Sequence, residues 1–450
     1  SKQAGVDYVG HSSAAVFFDY DGDGKLDLFL VNVGSYTTEA IGRGGYYVGR
    51  SDAFGSHKFP DRAELSRLYR NQGGLRFQDV TEATGLKDAG WSGDASFVDW
   101  DGDLWPDLYV LNMQGHNHYW ENEGGQRFVE RTAQHFPKTP WGAMGIKWFD
   151  SDNDGLLDLF ITDMHSDMTR AQSVEEEKSK SQISFPNDMM GADDGRSIWG
   201  NAFYKNLGEG RFVELSDGLG LENYWPWGVS VGDLNADGWE DVFITASMNF
   251  PFRYGINSLL LNDRGQKFLD AEFVLGVEPR RDGRTHTPWM SLDCDGADKA
   301  SDTCKDVTGT VVVAATLGSR ASALFDLDRD GDLDIVTSDF NSEPQVLISD
   351  LAERRPGLRW LEVKLRGTRS NRDGLGALVK VTAGGQTQVH QQDGKSGYLS
   401  QSAMPLYFGL GEAAQVDRVE VVWPSGQTQT IPGGQVRVNS TLEVVEPAGG

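Results

Sequence analysis

The chain has 450 residues, 38% of them hydrophobic, with 13 Trp, 22 Phe and 13 Tyr, which is enough to bury a large core. Sixty-seven acidic residues against 41 basic ones give a formal net charge of −26, and no basic stripe stands out, which argues against nucleic-acid partners. No apolar run approaches the roughly 18 residues that span a bilayer as a helix, and SKQAGVDYVG at the amino terminus lacks the apolar core of a signal peptide. The 55 glycines carry no Gly-X-Y period and fall between short apolar runs, the pattern of a turn-rich all-β protein.

Along the chain one acidic nonapeptide recurs five times: DYDGDGKLD at 19–27, DWDGDLWPD at 99–107, DSDNDGLLD at 150–158, DLNADGWED at 233–241 and DLDRDGDLD at 326–334. Positions 1, 3, 5 and 9 always offer a side-chain oxygen. The first three copies use Asp19, Asp21, Asp23 and Asp27; Asp99, Asp101, Asp103 and Asp107; and Asp150, Asp152, Asp154 and Asp158. The last two use Asp233, Asn235, Asp237 and Asp241, then Asp326, Asp328, Asp330 and Asp334. Position 7 (Lys25, Trp105, Leu156, Trp239 and Asp332) is expected to lend its backbone carbonyl. Hard oxygen donors without His or Cys select calcium over zinc or copper, and magnesium's stricter octahedron makes it the weaker candidate. The sequence therefore predicts about five calcium sites.

An EF-hand would need Glu at position 12, where this chain has Leu30, Val110, Ile161, Ile244 and Thr337. Apolar β-like runs flank every copy instead, AAVFF before and LDLFLVN after the first, so each loop is expected to turn a hairpin. Position 6 is glycine in four copies (Gly24, Gly155, Gly238 and Gly331) and Leu104 in the second, where a strained turn or a weaker site is expected.

A second motif alternates with the first, starting LYRNQGGLRF at 68, YWENEGGQRF at 119, FYKNLGEGRF at 203 and LLLNDRGQKF at 259. Each reads as a strand, a Gly-bearing turn and another strand. Four-stranded units in tandem close most simply into a β-propeller. In the region 285–320 the nonapeptide gives way to an Asp-rich stretch holding the two cysteines, Cys294 and Cys304. A disulfide there would stabilise by roughly 3 kcal/mol and imply an oxidising compartment; two free cytosolic thiols are the alternative.

The D-x-D-x-D-G-x-x-D hairpins followed by N-x-G-x-x-F turns resemble FG-GAP (VCBS) repeats, such as the calcium-binding blades of integrin α-chains. The stretches LRGTRSNRDGLGALVKV (365–381), DGKSGYLSQ (393–401), LYFGLG (406–411) and VEVVWPSG (419–426) resemble an ASPIC/UnbV domain. Together they are the arrangement of cartilage acidic protein-like proteins. The resemblance implies a β-propeller over 1–350, seven blades being the expected count, and a small β domain over 357–447 joined through SDLAERRPG. It implies little about activity.

In propellers of this type the segments entering the loops lie at the opposite axial mouth. Aligned on the loops, they bring His11, Trp91, Trp141, Trp225, Trp227, His286, Trp289 and Arg320 towards one mouth. Each tryptophan singly is as well explained by blade packing; as a set they suit a sugar ring or a peptide. Two long insertions, at roughly 33–66 and 164–200, return to the same side. No phosphate cradle, G-x-S-x-G, H-E-x-x-H or haem motif occurs, so no catalytic residue is assigned.

The expectation is a secreted, cell-surface or periplasmic calcium-binding recognition or adhesion module for a glycan or an extracellular protein. The alternatives are a lyase or hydrolase on a carbohydrate-like substrate using the axial mouth, or a structural subunit of an extracellular assembly.

Overall fold

The structure is a computed structural model that describes residues 1–42, 47–51, 59–164, 195–247 and 254–448. Short apolar runs separated by turn residues form antiparallel strands, because alternate side chains then face opposite sides of a sheet. In the first blade Ser12–Phe18, Asp27–Asn32, Arg67–Gly73 and Arg76–Asp79 pair in that order. The second repeats the order with Ser92–Val98, Asp107–Asn112, His118–Glu123 and Arg127–Glu130. The third uses Ala143–Phe149, Asp158–Asp163, Ala202–Asn206 and Phe212–Glu214, and the fourth Pro226–Gly232, Asp241–Ala246, Ser258–Asn262 and Phe268–Asp270. The last has three strands, Gly318–Phe325, Asp334–Phe340 and Val346–Leu347.

The first strands of these five sheets pack on one another in chain order. The apolar core lies between blade faces: Phe18 stacks on Phe97 at 5.5 Å between the first two. Phe149, Phe160 and Phe203 of the third meet Val229, Val242 and Leu260 of the fourth. The fold is all-β and propeller-like, as the repeats imply. The sheets are not joined into a closed ring among the described residues, and they leave the expected count of seven without support.

The cysteine region departs from the four-stranded unit. His286–Asp293 and Thr310–Thr316 form a two-stranded hairpin, and Cys294 is bonded to Cys304, so the disulfide expected from spacing is present. This hairpin does not stand between its neighbours at the axis, because Pro226–Gly232 packs directly on Gly318–Phe325, with Ser230 Oγ 2.8 Å from Ser322 Oγ.

The carboxyl-terminal region forms two sheets over one core. Trp360–Arg366 lies between Leu406–Gly409 and, in parallel, Ser440–Val445. Leu378–Ala383 lies between Gln386–Gln391 and Val416–Val422, with Thr428–Pro432 outside. Leu361, Val363, Val379, Val381, Phe408, Val421 and Trp423 are buried between them. This unit sits on the acidic-loop end of the blades. Tyr407 Oη donates to Gly331 O at 3.0 Å, Gln386 Nε2 to Gly238 O at 3.0 Å and Gly411 N to Ala236 O at 3.2 Å.

From there residues 393–401 run up between the inner strands. Asp393 Oδ1 accepts from Lys147 Nζ at 2.7 Å, and Lys395 Nζ meets Asp94 Oδ2 at 2.5 Å with both side chains almost fully buried. Gly397 N donates to Val229 O at 3.0 Å, and Leu399 N to Asp94 Oδ2 at 3.1 Å. Gln401 exchanges two hydrogen bonds with the backbone of Phe17, at 2.8 and 3.1 Å. The tip is admitted by glycine: a Cβ on Gly228 would lie 2.5 Å from Tyr398 N and 2.6 Å from Arg320 O.

Removing one partner of a buried pair leaves the other charge uncompensated, at a cost of about 3–5 kcal/mol. Lys395→Ala is expected to lower the unfolding free energy from urea denaturation by that amount. The double replacement Lys395→Met with Asp94→Leu removes both charges, yet it is expected to cost less than Lys395→Ala; equal losses would show that the pair is not what holds the segment.

Candidate metal centres and the opposite face

All five loops share one hydrogen-bonding scheme. The position-1 carboxylate accepts from the amide at position 6: Gly24 to Asp19 at 2.8 Å, Leu104 to Asp99 at 3.1 Å, Gly155 to Asp150 at 2.9 Å, Gly238 to Asp233 at 2.7 Å and Gly331 to Asp326 at 3.0 Å. To present that amide, position 6 takes a left-handed φ everywhere, 81°, 73°, 90°, 93° and 105° in chain order. Leu104 therefore adopts the glycine conformation at a cost of about 1–2 kcal/mol, and the turn is kept. Position 4 is left-handed as well (Gly22, Gly102, Asn153, Ala236 and Arg329), which the sequence reading had not singled out. The position-7 amide donates to the position-5 carboxylate, as from Lys25 to Asp23 at 3.0 Å and from Trp239 to Asp237 at 3.0 Å.

The ninth position ties each loop to the N-x-G turn of the second motif. Asp27, Asp107, Asp158 and Asp241 accept from the amides of Asn71, Asn122, Asn206 and Asn262 at 2.7 to 2.8 Å. Each asparagine side chain then donates back to the loop, as from Asn71 Nδ2 to Leu26 O at 2.8 Å, and accepts from a turn glycine. Ser349 N takes this place for Asp334, at 2.8 Å. The spacing of both motifs thus has one local cause.

Four of the loops bring three acidic groups together, with ligand atoms within 4.8 Å: Asp19, Asp21 and Asp27; Asp99, Asp101 and Asp103; Asp150, Asp152 and Asp154; Asp326, Asp328 and Asp334. The fourth loop has Asn235 where the others have a third aspartate, beside Asp233, Asp237 and Asp241. Burial, aided by the neighbouring carboxylates, pushes Asp27 up to about 8, Asp150 and Asp233 to about 7, and Asp19 and Asp99 to about 6. Buried Asp21 Oδ1 has no hydrogen-bond partner. In the third loop Lys205 Nζ lies 2.8, 2.9 and 3.2 Å from Asp152, Asp154 and Asp158, so a cation fits among these oxygens. Arg70 Nε similarly pairs with Asp21 at 2.5 Å. Hard, desolvated oxygen donors with unmet negative charge fit a divalent cation of calcium's class.

The residues expected at the axial mouth are distributed differently. Trp91, Trp141 and Trp225 are each 4–6% exposed, so they pack blades and offer no ring to a ligand. Trp141 packs on Trp199 at 5.5 Å. Trp227 and Arg320 do meet near the axis: the guanidinium lies 3.7 Å from the Trp227 ring centroid and 3.9 Å from that of Phe340, and Nη1 donates to Ser247 O at 2.9 Å. Burial draws Arg320 down to about 9. The partner seated against Trp227 is Tyr398 of the carboxyl-terminal unit, ring to ring at 5.4 Å. His11 is held by Glu64, Nδ1 to Oε1 at 2.6 Å, while His286 and Trp289 lie on the disulfide hairpin. The eight residues do not form one open aromatic mouth. Most of the second insertion, residues 165–194, lies outside the described residues.

Sequence reading missed a buried polar group at the junction of the two units. Lys147, Glu240, His390 and Asp393 line a cavity of about 480 Å³. Burial pushes Glu240 up to about 8 and draws His390 down to about 3. DGKSGYLSQ was legible as a motif, but its hydrogen bonds to the first four blades reach residues roughly 170 to 390 positions away, a relation that no local pattern encodes.

The FG-GAP-like repeat family matches residues 19–110, 99–161 and 187–244, and the ASPIC and UnbV family matches 367–450. Cartilage acidic protein 1 of Xenopus tropicalis is 25% identical over 275 residues, 55% of this chain and 41% of that protein. The Mus musculus protein of the same name is 33% identical over 123 residues, 27% of this chain and 19% of that protein. The chain thus spans less than half the length of these curated relatives. Among solved structures, the V. cholerae biofilm matrix protein Bap1 is 10% identical, with a TM-score of 0.30 over 95% of this chain and 60% of that one. A Bacillus licheniformis rhamnogalacturonan lyase, PL11, is 13% identical with a TM-score of 0.31, over 97% and 62%. Likenesses this distant carry neither fold nor function across. The repeats, the tail and the matches to both coincide: this chain belongs to the proteins that join FG-GAP-like repeats to a carboxyl-terminal ASPIC and UnbV domain.

Proposed function

We propose that the protein is a calcium-stabilised recognition module of an oxidising, calcium-rich compartment outside the cytosol, and that it binds an extracellular protein or a glycan. Calcium at the five loops holds the blade hairpins, and contact with the partner is made at the opposite end of the first blade. The observation that carries this reading is a hairpin after strand Asp27–Asn32, formed by Thr37–Ile41 and Tyr47–Gly49. Ile41 and Tyr47 there are 68% and 60% exposed, and Tyr36 beside them 43%, whereas the tryptophans near the axis are mostly buried. Exposed aromatic and aliphatic groups clustered on one hairpin are typical of an interaction surface. The disulfide supports the compartment.

A second reading, acid–base chemistry in the junction cavity, is favoured by one observation, Glu240 Oε1 lying 3.6 Å from His390 Nε2 among its lining residues, where burial raises the carboxyl and lowers the imidazole.

Two outcomes test the primary reading. Without a bound cation, Asp27, Asp150, Asp233, Asp19 and Asp99 hold protons in the folded state that they lose near pH 4 when unfolded. The folded chain then binds more protons between about pH 4 and 8, so its stability falls as pH rises through that window. Melting in EDTA is expected to show this fall, and melting in millimolar calcium to abolish it. A single micromolar site contributes about 4 kcal/mol at that calcium concentration. Coincident EDTA and calcium curves would refute the calcium role.

For the partner surface, Ile41→Ser with Tyr47→Ser is expected to weaken binding on a glycan array or an extracellular-protein panel at least tenfold while leaving the melting temperature unchanged. Equal binding by parent and variant, or no binding by the parent on either panel, would count against the reading.

A further inference from the structure

The fifth acidic loop differs from the other four at its seventh position. Lys25, Trp105, Leu156 and Trp239 stand there in the earlier copies, and Asp332 in the last. Its side chain points inwards, leaving the residue 1% exposed. Oδ2 accepts from the amide of Ala352 at 2.7 Å, while Oδ1, enclosed by protein, has no hydrogen-bond partner. A buried carboxylate oxygen without a donor is costly. Here the cost is raised by company, because ligand oxygens of Asp330, Asp332 and Glu353 lie within 4.8 Å of one another. Asp330 is also the fifth position of the loop, whose other acidic residues, Asp326, Asp328 and Asp334, converge as a group of their own. Among the described residues no ion pair involves any of its three members. Glu353 belongs to the helical turn Leu351–Arg354, the start of the connection to the carboxyl-terminal unit.

We propose that Asp330, Asp332 and Glu353 form a second divalent-cation site in the last repeat, occupied by calcium, which clamps the connecting helical turn to the blade. The three donors are hard oxygens from two elements, and one of them already lacks a partner, so a cation supplies what the protein leaves unmet. The site differs from the repeated loop site in kind: it uses the side chain of position 7 and a residue outside the nonapeptide. The choice of ion rests on the calcium reading of the loops; the site itself does not.

The test is the number of calcium ions bound per chain, from equilibrium dialysis with elemental analysis at saturating calcium. Glu353 is exposed, so Glu353→Gln is expected to leave the fold intact and lower the count by one. Asp328→Ala, which removes the position-3 oxygen of the loop site altogether at an exposed residue, is expected to lower it by one separately, and the double variant by two. In calcium, Glu353→Gln is also expected to open the 349–357 connection to limited proteolysis at least tenfold faster than in the parent. An unchanged count in Glu353→Gln, or a double variant that loses only one ion, would overturn the second site while leaving the loop sites standing. A parent that binds no calcium would overturn both readings.

Discussion

The pairing of Lys395 with Asp94 is the contact on which the arrangement of the molecule turns. Each side chain is a charge withdrawn from water, and each is tolerable only because the other is there, so the segment carrying Lys395 has one place to go. Asp94 sits on an inner strand of the second blade, and its Oδ2 also accepts from Leu399 N. Around that anchor the same nine-residue segment reaches the first blade through Gln401, the third through Asp393 and the fourth through Gly397. Inner strands that are not joined in a closed ring among the described residues are thus joined through a segment supplied by another unit. The axis of this propeller-like array is a polar core filled by its own chain.

At the loop end a second economy operates. One aspartate, at position 9, accepts from the asparagine that opens the next turn, and that asparagine answers to the loop backbone. The second strand of a blade is therefore locked to the third at the same point where the acidic oxygens converge. A cation bound there would stiffen the hairpin and its neighbour together. The cost of the arrangement is electrostatic, visible in carboxyls raised by burial and by one another, and Lys205 and Arg70 offset part of it in two of the five loops. Because the carboxyl-terminal unit rests on this end, with Tyr407 on Gly331 and Gln386 on Gly238, the state of the loops bears on its seating as well.

What the sequence discloses is what local spacing controls. The five loops, their flanking strands and the N-x-G turns are each set within a dozen residues. Even Leu104 keeps the left-handed turn, because the amide it must present to Asp99 matters more than the strain. The disulfide is local too. The axial region is not. Trp91, Trp141 and Trp225 align on the loops as a ring of aromatics, yet large apolar rings next to a blade interface gain more by packing than by facing solvent. Nothing in the alternation of strands reveals that Tyr398, far along the chain, lies against Trp227. Blade number is equally illegible, since a hairpin held by a disulfide can replace a full sheet without altering the repeat on either side.

The carboxyl-terminal segment is part of the axial core, and hydrogen exchange at two amides reads that directly. Gly397 N and Leu399 N, bonded to Val229 O and Asp94 Oδ2, should exchange only with global unfolding, at the same rate as the core amides of the inner strands. Exchange of these two amides orders of magnitude faster than Val379 and Val381 in the core of their own unit would contradict it, and would make the segment a surface loop laid against the blades.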